Sequence, residues 1–110
     1  MDYNDKINSR MVLYLLKEKL ELTIGKLYEY ISKEYPSINI DHEKKNFMYI
    51  NNYDGDVDKL ILEFIIYSIN STICYNLDDD EIQHISNNLD IFFDISEMNN
   101  SILIEINKDE

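Results

Sequence analysis

SINIDHEKKNFMYIN, residues 37–51, decides the fold class. Two short alternating runs, Ser37-Ile-Asn-Ile-Asp41 and Asn46-Phe-Met-Tyr-Ile-Asn51, flank the polar stretch His42, Glu43, Lys44 and Lys45. Alternation over such lengths around a polar turn predicts a β-hairpin. With that hairpin the chain is α+β; without it, the rest reads as an all-α bundle. The hairpin ends in the loop Asn51, Asn52, Tyr53, Asp54, Gly55 and Asp56.

Upstream, residues 5–35 have helical spacing. Leu13, Leu16, Leu20, Ile24, Leu27, Ile31 and Tyr35 recur at steps of three and four and share one face. Lys17 with Glu21 and Glu29 with Lys33 are opposite charges at i,i+4. Unbroken, this helix would run about 45 Å, too long for so small a domain, so a break is expected at residues 23–25. Pro36 disfavours helical geometry at Tyr35 and ends the segment.

Downstream, Asp56 is placed to cap a second helix. Val57, Leu60, Ile61, Phe64, Ile65, Ile69 and Ile73 form its core face, and Leu62, Ile66 and Tyr67 add apolar surface elsewhere, which marks the central helix. A buried strand is the alternative for this β-branched stretch, but its length favours helix. Asp78 and Glu81 have capping-box spacing and open a third helix to about residue 94, with Ile82, Ile85, Leu89, Phe92 and Phe93 inward. The run Ile102-Leu-Ile-Glu-Ile106 reads as a strand able to pair with the hairpin. The expectation is a single domain over residues 1–110: three main helices, the first broken near Gly25, packed with a small antiparallel sheet from the hairpin and the C-terminal strand.

Charge is distributed unevenly. The chain is 110 residues with a formal net charge of −12. From Leu60 onward there are eleven acids and one base, Lys108, a net of −10; residues 1–59 hold eleven acids and nine bases, a net of −2. A one-sided negative field suits a basic partner and repels nucleic acid and anionic membrane. The hydrophobic fraction of 45% is that of a globular chain, so the acidity is not that of a disordered tail. No basic, apolar, cleavable leader is apparent and no run approaches the roughly 20 apolar residues of a membrane span, so a cytoplasmic location is expected.

No motif carries catalysis. Asp54, Asp56 and Asp58 begin like a calcium loop, but Lys59 stands where glycine is needed and Ile65 where a bidentate glutamate is needed. A turn followed by a helix cap explains them better. His42 and His84 lack a second His or Cys at ligand spacing, so no metal or cofactor is expected. Cys74 is the one cysteine, which rules out an intrachain disulfide; its apolar setting predicts a buried small hydrophobe rather than a nucleophile paired with His84.

The third helix carries the sharpest functional pattern. With Ile82 at 0° and 100° per residue, Asp79, Gln83, Asp90 and Asp94 fall between about 60° and 120°, with Asn87 and Asp80 just beyond. This is a ribbon of carboxylates and amides with no base in it. Ile91 and Ile95 fall away from the main core at about 180° and 220°, where they either meet the C-terminal strand or form an exposed apolar spot beside the acids. Together with Glu97, the expected partner-binding set is Asp79, Asp80, Gln83, Asn87, Asp90, Asp94 and Glu97. Nine tyrosines add side chains suited to interfaces, each a rigid apolar body with a polar tip.

In length, acidity, tyrosine content and the run Asp78, Asp79, Asp80, Glu81 followed by Ile82, Ile85 and Leu89, the chain resembles the small acidic immunity proteins of bacterial toxin systems, of the colicin and contact-dependent growth inhibition types. The resemblance implies a cognate basic toxin domain, commonly a nuclease, bound and blocked by this protein. The alternatives are a viral or phage protein that binds a host factor, including a DNA mimic, and a structural subunit of a larger complex.

Overall fold

In the computed structural model, which describes residues 10–41 and 46–106, both alternating runs are strands and the protein is α+β. The chain runs α1 (Arg10–Leu20), α2 (Ile24–Glu34), β1 (Asn39–Asp41), β2 (Phe47–Asn51), α3 (Val57–Ile73), α4 (Asp79–Ser86), a 3-10 turn (Leu89–Ile91), β3 (Phe93–Met98) and β4 (Ser101–Ile106). Among the described residues no helix is long and apolar enough to cross a membrane. Residues 5–9 of the expected first helix, and the hairpin turn with His42, lie outside the described residues.

The first helix is broken as expected, but at residues 21–23, slightly ahead of the expected 23–25, and Gly25 lies inside α2. Glu21 takes a left-handed φ of 51°, and Thr23 starts α2 by accepting a 3.0 Å hydrogen bond from the Lys26 amide. Lys26 Nζ also donates to the Glu21 carbonyl at 3.0 Å, satisfying one carbonyl that the ended helix leaves open. Tyr35, before Pro36, leaves the helical region at φ −136°, ψ 66° and terminates α2.

α3 is capped by Asp56, whose carboxylate accepts from the Lys59 amide at 3.2 Å. It contributes Val57, Leu60, Ile61, Phe64, Ile65 and Ile69 to the core. Cys74 corrects an expectation. It is exposed rather than buried, and it ends α3 in the left-handed region at φ 54°, ψ 39°. Its thiol should therefore react with a disulfide reagent in the native protein, one equivalent per chain without denaturant; a native protein that reacts only after unfolding would contradict this placement.

Both halves of the expected capping box form. Glu81 N donates to Asp78 Oδ1 at 2.8 Å and Asp78 N donates to Glu81 Oε1 at 3.0 Å. The third helix nevertheless ends at Ser86, not near residue 94. Asn88 Nδ2 donates to the His84 carbonyl at 2.7 Å, so a side chain takes over a carbonyl of the last helical turn. The chain then makes one 3-10 turn and becomes β3.

The four strands form one antiparallel sheet in the order β1-β2-β4-β3. β4 is central: Ile104 pairs with Met48 of β2 on one side and with Ile95 of β3 on the other. Asn99 and Asn100 make the β3–β4 turn, with Asn100 at φ 61°, a conformation asparagine tolerates. Met48, Ile50, Phe93, Ile102 and Ile104 point to one face and join the helices in a single core, with Ile40, Ile95 and Ile106 packed at its margin. Ile91 and Ile95 are thus not an exposed apolar spot. Ile91 is fully buried, and Ile95 lies against the core.

Candidate acidic docking surface

The seven residues expected on one helical flank separate into three groups. Asp79, Asp80, Gln83 and Asn87 remain together, exposed along α4 and its C-cap, with Gln83 Nε2 donating to Asn87 Oδ1 at 3.0 Å. Asp90 lies in the 3-10 turn. Asp94 and Glu97 lie in β3, three positions apart, so they project from opposite faces of the sheet. The ribbon depended on helical geometry as far as residue 94, and the helix stops eight residues earlier.

Nor is the surface free of bases. Arg10 reaches across from α1, donating through Nη1 to Asn88 Oδ1 at 2.6 Å and through Nη2 to Asp90 Oδ2 at 3.4 Å. Both members of the ion pair are more than half exposed, so solvent screens it and it adds little to stability. Glu97 lines a shallow pocket of about 490 Å3 with Asn52, Asp54 and Asn100. His84 Nε2 is buried without a partner among the described residues, while its ring Nδ1 sits 3.4 Å from Asn88 Nδ2.

Two acids of this half serve the fold instead of the surface. Glu81 is buried and accepts from the Tyr75 hydroxyl at 2.6 Å as well as closing the capping box. Glu63 accepts a hydrogen bond from the Tyr35 hydroxyl, tying the end of α2 to α3. Hydrogen bonding to these carboxylates, followed by burial, pushes both phenols up from 10.0 to about 12. Burial first, then the Glu63 charge, raises Tyr30 as well. In the unfolded chain these phenols ionise near 10, so between that value and about 12 the folded state binds more protons. Stability should be complete below pH 10 and fall as pH rises towards 12. Absorbance titration of phenolate beside the denaturation midpoint checks this; native Tyr35→Phe and Tyr75→Phe should each lose one late-titrating group.

Strand pairing assembles a surface that helical reasoning missed. On the sheet face turned away from the helices, three cross-strand rows can be followed. Asp41, Tyr49, Leu103 and Ser96 form one; Phe47, Glu105 and Asp94 form the next; Asn39, Asn51, Ser101 and Met98 form the third. Phe47, Tyr49 and Leu103 are half-buried yet lie outside the core cluster, and the Phe47 and Tyr49 rings meet edge to face with centroids 5.6 Å apart. Met98 is 53% exposed. The four strands contain no lysine or arginine. Asp94 stands directly opposite Glu105, an arrangement of like charges that destabilises a sheet. Among the described residues no cation pairs with either.

The signal for this face was present in the sequence. β2 reads Phe-Met-Tyr-Ile and β4 reads Ile-Leu-Ile-Glu, so a period of two places apolar side chains on both faces of each strand. The opposite kind of site is also visible: a groove of about 350 Å3 between α2 and α3, lined by Tyr30, Phe64 and Tyr67 with lysines and glutamates of α2. Its mixed charge gives it no preference for a partner of either sign.

Comparison of the chain with protein-family models, with curated proteins and with solved structures finds no match.

Proposed function

We propose that this is a non-catalytic acidic protein that binds and neutralises a basic cognate protein in the cytoplasm, best read as the immunity protein or inhibitor of a nuclease toxin. One observation carries the reading. Over residues 60–106 the chain has no lysine or arginine, while Asp79, Asp80, Asp90, Asp94 and Glu97 are exposed. Nucleases collect lysine and arginine to hold phosphate, and a carboxylate surface meets such a protein with fast, steered association. The same field disfavours direct contact with nucleic acid or anionic membrane. No catalytic group, metal or cofactor is required for inhibition by occupancy.

Affinity capture from the source lysate at low and at high salt tests the proposal. The expected result is one basic protein, retained at low salt and weakened at high salt, whose nuclease activity falls stoichiometrically as this protein is added. Retention of a salt-insensitive set of several proteins would instead make the chain a structural subunit and its acids a solvated surface.

A further inference from the structure

We propose that the basic partner docks on the sheet face turned away from the described helices, with Phe47, Tyr49 and Leu103 as its apolar centre and Asp41, Asp94 and Glu105 as its acidic rim. This rests on the reading of the protein as a binder of a basic protein and names where and how that partner is held. The partner it fits is a folded basic protein that presents an apolar or aromatic ridge bordered by lysine and arginine.

Three features of the face support that occupant. First, it has the parts of an interface: Tyr49 and Leu103 stand side by side in the middle row, Phe47 adjoins Tyr49 along β2 in an end row, and Asp41, Asp94 and Glu105 lie at the margin. These side chains stand on paired strands, so little ordering is needed on binding. Second, among the described residues of the four strands the rim is of one sign. Asp94 opposite Glu105 stores a repulsion in the free protein that an incoming guanidinium or ammonium relieves, so the charge contributes more to the complex than to the fold. Third, the other occupants fit poorly. A second copy would bring two sets of these carboxylates together, and nucleic acid would meet three negative charges without a cation on the strands. The acids of α4 have a smaller apolar centre: Asp79, Asp80, Gln83 and Asn87 supply steering, with only the half-buried Ile82 among them on that helix, against three large apolar side chains on the sheet.

The test uses NMR of the isotope-labelled full chain and two synthetic peptides of equal length and positive charge. One alternates lysine or arginine with leucine and tyrosine; the other replaces leucine and tyrosine with serine. The first peptide should shift the amides of Tyr49, Asp94 and Leu103. It should bind about tenfold more tightly than the second, the advantage of burying roughly one large apolar side chain. Tyr49→Ser with Leu103→Ser, whose side chains lie outside the core, should remove that advantage while far-ultraviolet circular dichroism stays unchanged. Equal affinities, or shifts confined to Asp79–Ser86, overturn the assignment of the sheet face and leave the basic-partner reading intact. Failure of both peptides to bind overturns both. Shifts of the same amides on raising the protein concentration alone show that a second copy covers the face, and also overturn it.

Discussion

Replacing Phe64 with alanine is expected to lower the free energy of unfolding by about 3–5 kcal/mol, among the largest effects of any single truncation in this core. Phe64 is 2% exposed, with its ring centroid 5.5 Å from that of Tyr30 and 6.1 Å from that of Phe93. It joins α2, α3 and the first residue of β3, so no one element can move in to fill the space. Against a total of about 5–15 kcal/mol for an ordinary domain, such a loss leaves little reserve. Urea denaturation checks it: the midpoint should fall sharply while the slope stays the same. The effect reaches the surface as well. Phe93 faces the core and its neighbour Asp94 faces out, so loosening the ring beneath β3 loosens the rim above it.

The second large effect has two signs. Asp94→Lys turns the Asp94–Glu105 opposition into a Lys–Glu cross-strand pair, which should stabilise the free protein by about 0.2–1 kcal/mol. The same change reverses a charge on the proposed docking face. Association with a basic partner should slow about tenfold at low salt, and much of that difference should vanish at high salt. A thermal melt and a stopped-flow association measurement, made on one preparation, read the two together. A variant that merely damaged the fold would lose both stability and binding. A variant that gained stability and kept its association rate would remove Asp94 from the interface. Such opposition between stability and function is what an uncompensated charge pair produces when it is kept for a partner.

The parts of the fold that are legible in the sequence are those determined by neighbours in the chain. The cap at Asp56, the box at Asp78 and Glu81, the stop before Pro36 and the interruption near Thr23 all rest on hydrogen bonds or sterics spanning a few residues. β3 was not legible, for a physical reason. Phe92 and Phe93 satisfy a helical stripe as easily as a strand, Ile95 alone falls off it, and the choice is made by β4, which offers its free edge to residues 93–98. The end of α4 turns on the Asn88 side chain, a local event, but one in which asparagine competes with the helix instead of capping it at a predictable position. Cys74 was misplaced because apolar neighbours were taken as a sign of burial, whereas its own backbone closes a helix in the left-handed region.

The candidate site divides the same way. Asp79, Asp80, Gln83 and Asn87 stay together because they share a real helix and its cap. Asp90, Asp94 and Glu97 scatter because the shared helix does not extend to them. The face built from Phe47, Tyr49, Leu103, Asp94 and Glu105 draws on three strands separated by up to 58 positions in the chain, from Phe47 to Glu105, and only the register brings them together.

That register also governs when the molecule can become complete during synthesis. β4 is made after every other described element, yet it lies between β2 and β3 and supplies the only pairing either makes on that side. Until Ser101–Ile106 has left the ribosome, the β1–β2 hairpin is a two-stranded ribbon, which is marginal in water, and β3 has no other strand to pair with among the described residues. The nascent chain can wind its helices early, but it closes its sheet in one late step.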